Sequence, residues 1–231
     1  SKLNYIPALT QQHTYMLASL NPYQPNTYDE IGGQGDIYLT APKRSFLGGK
    51  YGTRFHFNAS RWYGKTIMRP ESARALLFSE LGIDLEKKWS RSWKSIFLYS
   101  WQVFNPYAHP TGGSENISSH TAVADLTWKM DNAKSLRLEV QHLFTKQDKG
   151  NWMAGLLEFS IAPEWSFSVA DMWNYGLTKL HYYNGTVSYS HGPVRSSLSF
   201  GRFKEGYQCA GGVCRIIPAY TGLNANITVS F

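Results

Sequence analysis

Glu80, Asp84 and Glu86 fall on one parity of a single alternating stretch, so an extended chain sets three carboxylates along one face. Oxygen ligands so arranged could hold a hard cation. Arg54, Lys94, Asp125, Lys129, Arg137 and Glu139 occupy the matching polar parity of other stretches. With cations interleaved among the carboxylates, mutual pairing is the stronger expectation, giving a mixed lining without metal preference. Seven histidines are dispersed through the chain, and His56 lies on a polar parity. A Ser/His hydrolytic site is conceivable there, but nothing in the sequence brings a serine and an acid to it. No phosphate loop, zinc-protease helix or nucleophile elbow occurs. The sequence therefore assigns no catalytic residue, no cofactor and no metal site.

Cys209 and Cys214 stand in Gln-Cys-Ala-Gly-Gly-Val-Cys-Arg. Gly211-Gly212 permits a tight loop closed by a disulfide, which would contribute about 2 kcal/mol. An oxidised pair suits the cell envelope; reduced loop thiols are the alternative. A structural zinc site would need two more ligands, and no His or Cys lies nearby.

The elements that must position these residues are strands. Leu223, Ala225, Ile227, Val229 and Phe231 alternate with Asn224, Asn226, Thr228 and Ser230. The same period of two recurs around 54–60, 77–86, 121–130, 135–144 and 153–161. About twelve strands follow, near 14–20, 31–41, 51–62, 75–89, 93–105, 119–130, 134–146, 150–162, 164–175, 179–191, 194–205 and 222–231. Many exceed the usual strand length and meet the roughly nine to eleven residues that cross a bilayer at a tilt. Counting back from Phe231, short connections alternate with mostly longer ones, as in outer-membrane barrels. Trp89, Trp93 and Trp165 flank tight turns, while Trp62, Trp152 and Trp173 fall near the opposite strand ends; together they predict two aromatic girdles. Phe231 predicts a carboxy-terminal assembly signal of the kind that ends bacterial barrels.

Composition narrows the class. No run of about 18 apolar residues exists, which excludes a helical membrane span but not a barrel, whose strands average out. The net charge of +7 is scattered without a basic stripe, so nucleic acid is excluded as a partner. No export signal is visible at Ser1, so either it has been removed or the chain begins inside a longer protein.

Three passages, Leu3-Asn4-Tyr5-Ile6-Pro7-Ala8-Leu9-Thr10 with His13-Thr14-Tyr15, Gly48-Gly49-Lys50-Tyr51-Gly52-Thr53, and Cys209 to Arg215, resemble an uncharacterised family of outer-membrane β-barrel proteins from Bacteroidota, known as a domain of unknown function. Members of that family look about twice as long, which implies a carboxy-terminal portion of a larger barrel, with residues 1–231 as one domain. The resemblance carries over no activity.

The expected fold is thus an all-β, antiparallel, up-and-down transmembrane barrel in the bacterial outer membrane. The expected function is non-enzymatic: a structural or accessory subunit of an envelope complex, or a porin-like channel. Its partners would be outer-membrane lipid and other envelope proteins. Bulky Phe78, Leu98, Leu143 and Leu156 on the lumen parity favour the subunit over an open pore. The alternative is a secreted aromatic-rich β-sandwich that binds glycans.

Overall fold

Period-two alternation specifies register strongly, because a slip of one residue would exchange the two faces of a strand. The described residues accordingly form thirteen strands: β1 Glu30–Ala41, β2 Thr53–Gly64, β3 Leu76–Lys88, β4 Trp93–Phe104, β5 Ile117–Lys129, β6 Lys134–Thr145, β7 Trp152–Ile161, β8 Trp165–Asn174, β9 His181–His191, β10 Val194–Phe203, β11 Gly206–Ala210, β12 Val213–Ile217 and β13 Tyr220–Val229. The computed structural model describes residues 10–23, 30–64, 76–105, 116–210 and 213–229, with the β11 and β12 segment described by its backbone alone.

Eleven strands make one antiparallel up-and-down sheet in the order β1 to β10 and then β13. Each pairs with its neighbour in sequence, so the connections are hairpins and no strand crosses over. The links at 42–52, 89–92, 130–133, 162–164 and 192–193 gather at one rim, and four of the five are tight. The other ends of these strands lie at the opposite rim, and the stretches of sequence that join them, 65–75, 105–116, 146–151, 175–180 and 204–219, are longer than those four turns. The last of these holds a separate two-stranded hairpin, β11 with β12. The sheet is single, not the sandwich of the alternative reading, and its described edges β1 and β13 do not pair with each other.

Its faces are inverted relative to a water-soluble protein. Leu81, Ile83, Phe97, Tyr99, Leu126, Leu138, Val140, Leu157, Val169 and Leu198 point outward and are exposed. The opposite parity carries Glu80, Ser100, Gln102, Thr121, Asp125, Glu139 and Gln141, all buried. Soluble proteins place large apolar side chains inside and leave carboxylates out. Here the alternation read from sequence holds strand by strand, with the polar side turned in.

The interior is filled by the segment read as a first strand at 14–20. That expectation is corrected: residues 10–23 form no strand. Ser19 N–H donates to Tyr15 O at 3.0 Å, making a turn, and the segment threads the concave face of the sheet. Its alternation matches a strand locally, but its apolar side chains are buried by the lumen wall instead of by a neighbouring strand. Leu17 packs with Leu143, Trp152, Ala154, Met172 and Tyr182. Tyr15 and Ala18 pack with Leu98 and Val123. Tyr23 packs with Trp62, Leu77, Phe78, Phe104 and Ile117.

Candidate functional site

The candidate site is the lumen with this inserted segment. Polar side chains of the wall hold it at successive heights. Gln11 Nε2 donates to Asp84 Oδ2 at 3.2 Å, and His13 Nε2 meets Glu80 Oε1. Tyr15 OH donates to Asp125 Oδ2 at 3.3 Å. The backbone N–H of Leu17 donates to Gln141 Oε1 at 2.8 Å, and Gln102 Nε2 donates to Ala18 O at 3.0 Å. Glu80, Gln102 and Gln141 are buried to within a few per cent, so each would be costly to leave unpaired. A segment without its own ladder thus finds backbone partners in the wall. Glycine makes room for it at one point: a Cβ on Gly82 would lie 3.3 Å from Gln11 Oε1.

The lumen divides into two zones. Toward the longer links, aromatic and aliphatic groups close around the segment; Tyr23 stacks on Trp62 at 5.7 Å and on Phe78 at 5.2 Å. Toward the tight turns a cavity of about 460 Å³ opens between residues 11–15 and strands β1 to β4. His56 stands in its wall with Nε2 2.8 Å from Asp36 Oδ1 and Nδ1 2.7 Å from Asp84 Oδ2, and Tyr38 stacks on its ring at 4.3 Å. Both ring nitrogens of His56 are thus engaged by carboxylate oxygens.

The charges expected in the lumen can now be placed. Glu80, Asp84, Glu86, Asp125, Arg137 and Glu139 face inward, and Arg54 lines the cavity. Lys94 Nζ pairs with Glu86 at 3.1 Å. Arg137 gathers three carboxylates, with Asp125 at 2.9 Å, Glu139 at 2.5 Å and Glu158 at 3.6 Å. Lys129 closes β5 at the tight-turn rim and is exposed. The row Glu80, Asp84 and Glu86 is shared among separate partners, and among the described residues no cluster of three or more His, Cys, Asp or Glu could hold a metal ion.

The tryptophans divide differently from the expectation. Trp89, Trp93, Trp165 and Trp173 are outward and exposed. Trp62 and Trp152 are corrected: both turn into the lumen, 8% and 1% exposed, as core of the filled zone. Their parity carried the signal, since Trp62 shares a face with Arg54 and His56, and Trp152 with Ala154. A Cβ on Gly32 would fall within 2.7 Å of the Trp62 ring, so only glycine leaves the indole its place. Trp101 and Trp128, which proximity to turns did not single out, are outward. Trp93 stacks on Trp128 at 5.6 Å along the tight-turn rim. At the other level His120 bonds Tyr99 OH at 2.7 Å, His142 bonds Tyr175 OH at 2.6 Å, and Trp173 stacks on His181 at 5.2 Å.

Outside the strands, Lys149 and Glu205 form an ion pair above the filled zone. Burial alone would raise the Glu205 carboxyl, but the Lys149 ammonium holds it below its ordinary value; Lys149 is raised in turn, against its own burial, by Glu205. Lys204, its ammonium 5.9 Å from the Trp152 ring, is lowered by burial and then by Lys149. Cys209 and Cys214 are cross-strand partners in β11 and β12, while their side chains, and hence the expected disulfide, lie outside the described residues, as does Phe231.

A profile described as "Family of unknown function (DUF6029)" matches residues 1–231. No curated protein matches the sequence. Among solved structures the chain is similar to "KdgM porin in complex with disordered oligogalacturonate", at 10% identity and a TM-score of 0.37, over 87% of this chain and 95% of that one. A likeness at that score carries no argument.

Proposed function

The chain belongs to the DUF6029 family, and we propose that it is a non-enzymatic integral β-barrel protein of the bacterial outer membrane with its lumen occluded by residues 10–23. One observation carries this reading: the outer face is apolar and exposed while buried carboxylates and amides face inward. In lipid each outward Leu, Phe or Val, about half exposed, gains roughly 1 kcal/mol by leaving water, whereas in water the same surface is an aggregation hazard.

The dimensions agree. Trp93 and Trp101 on β4, Trp128 and His120 on β5, and Trp165 and Trp173 on β8 are each eight positions apart. Eight residues span about 26 Å along a strand. At the roughly 40° tilt of membrane strands that is a belt about 20 Å high, near the 25 Å apolar band of outer-membrane barrels. Phe46, Leu47 and Trp89 add apolar surface at the tight-turn rim.

The inserted segment favours a structural or accessory subunit of an envelope complex over an open channel. Fractionation with outer membranes and a heat-dependent shift in gel migration test the location; recovery as a soluble monomer would refute it. In planar bilayers the intact protein is expected to give no steady conductance steps, and regular steps would replace the subunit reading with a channel.

A further inference from the structure

The edges of the sheet point to what completes it, on the premise that the outer face meets lipid. β1 runs from Glu30, opposite Gly64, to Ala41, opposite Thr53 and the tight-turn rim. β13 runs from Tyr220, opposite Phe203, to Val229, opposite Val194 beside the tight 192–193 turn. Both edges therefore run toward the same rim, as the first and last of an odd number of up-and-down strands must.

That direction discriminates between closures. Joining β1 to β13 within one chain would make a parallel pair in an otherwise antiparallel sheet. Two copies inserted with the same orientation would meet β13 to β1, which is parallel again. Leaving the edges open would strand their backbone N–H and C=O groups in hydrocarbon, where nothing satisfies them. Only an odd number of intervening strands pairs antiparallel with both edges and brings the total to an even number.

The side chains state the chemistry of those strands. Outward Ile37, Leu39, Leu223 and Ile227 carry the apolar belt right up to both edges, all more than half exposed. Inward Asp36 on β1 and Asn224 on β13 carry the polar lining equally far. We propose that an odd number of amphipathic β-strands, apolar outward and polar inward, from polypeptide outside the described residues, pairs with β1 and β13 and closes the barrel.

The test uses the protein in its native outer membranes. Cysteine pairs are introduced at outward edge positions, Leu39→Cys or Ile37→Cys with Val229→Cys or Ile227→Cys, and short cross-linking is read by mass. Hydrogen exchange is followed at the β1 and β13 amides in mild detergent. The expected result is edge amides protected to the level of β5, with no β1–β13 cross-link for any pair. A cross-link within one chain would establish parallel self-closure, and one between copies a two-copy ring; either overturns the proposal. Edge amides exchanging as fast as an unstructured peptide would overturn it too. Loss of membrane fractionation would instead count against the membrane reading itself, so the two failures are distinguishable.

Discussion

Val140 offers the sharpest test of what surrounds the protein. It lies on β6 opposite Ala124, midway between Trp128 and His120 on β5, and its side chain points outward at 43% exposure. Four residues separate it from either belt, about 13 Å along the strand and roughly 10 Å in depth at a 40° tilt. A guanidinium placed there by Val140→Arg is at the midplane of the apolar band, where it costs roughly 2–4 kcal/mol. That lowers the folding equilibrium constant by a factor between about 30 and 900. At the tight-turn rim the same change, Met130→Arg, is expected to cost between about 0 and 1 kcal/mol. The assay is urea unfolding of the refolded protein in lipid vesicles, with Leu126→Arg as an intermediate position. A profile that peaks at Val140 and falls toward Met130 is the expected outcome. A flat profile within about 0.5 kcal/mol, the usual effect of a change at a water-exposed surface, would refute the lipid-facing assignment.

Leu17→Ala removes a fully buried side chain from the filled zone and is expected to cost about 2–5 kcal/mol in the same unfolding assay, with faster proteolysis of residues 10–23. Arg137→Gln leaves buried Asp125 and Glu139 without their cation and should cost about 3 kcal/mol, partly recovered when Glu139→Gln is added. The Lys149–Glu205 pair should give a pH-dependent loop. The stabilisation from Glu205, whose value is depressed on folding, is complete above the ordinary carboxylate value of about 4.3 and is lost as pH falls through the depressed one. That from Lys149, whose value is raised, is lost only as pH climbs through a point above about 10.4. Proteolysis of the 146–151 link should therefore accelerate in acid, and Glu205→Gln should abolish that acid dependence. Finally, Cys209 and Cys214 should resist alkylation until reduced, since the backbone sets them opposite each other; labelling without reductant would remove the disulfide.

Eleven of the strands were legible because each carries its own evidence: alternation fixes the faces of β3 or β6 without knowledge of any neighbour. Alternation could not say which face meets solvent, because the pattern is the same for a sandwich and a barrel. Turn lengths and tryptophans broke that tie, yet closeness to a turn misplaced Trp62 and Trp152, where parity would have served better. Residues 14–20 were misread for a deeper reason. Their partners are Gln102, Asp125 and Gln141, remote in sequence, and a local period cannot reveal a segment that borrows its hydrogen bonds from a distant wall. The β11–β12 hairpin was signalled by Gly211-Gly212 between two short runs but was read as a tight loop closed by a disulfide, without strands of its own.

The inserted segment also governs the timetable of assembly. Tyr15 waits for Asp125 on β5, 110 residues later, and Leu17 for Gln141 on β6, 124 residues later, so the two cannot both be seated before β6 exists. Met172 and Tyr182 complete the pocket around Leu17 later still. Residues 10–23 are therefore among the last of the described residues to settle, although they precede β1 in the chain. On the proposed membrane reading, a hairpin array with that segment still unseated precedes the finished fold.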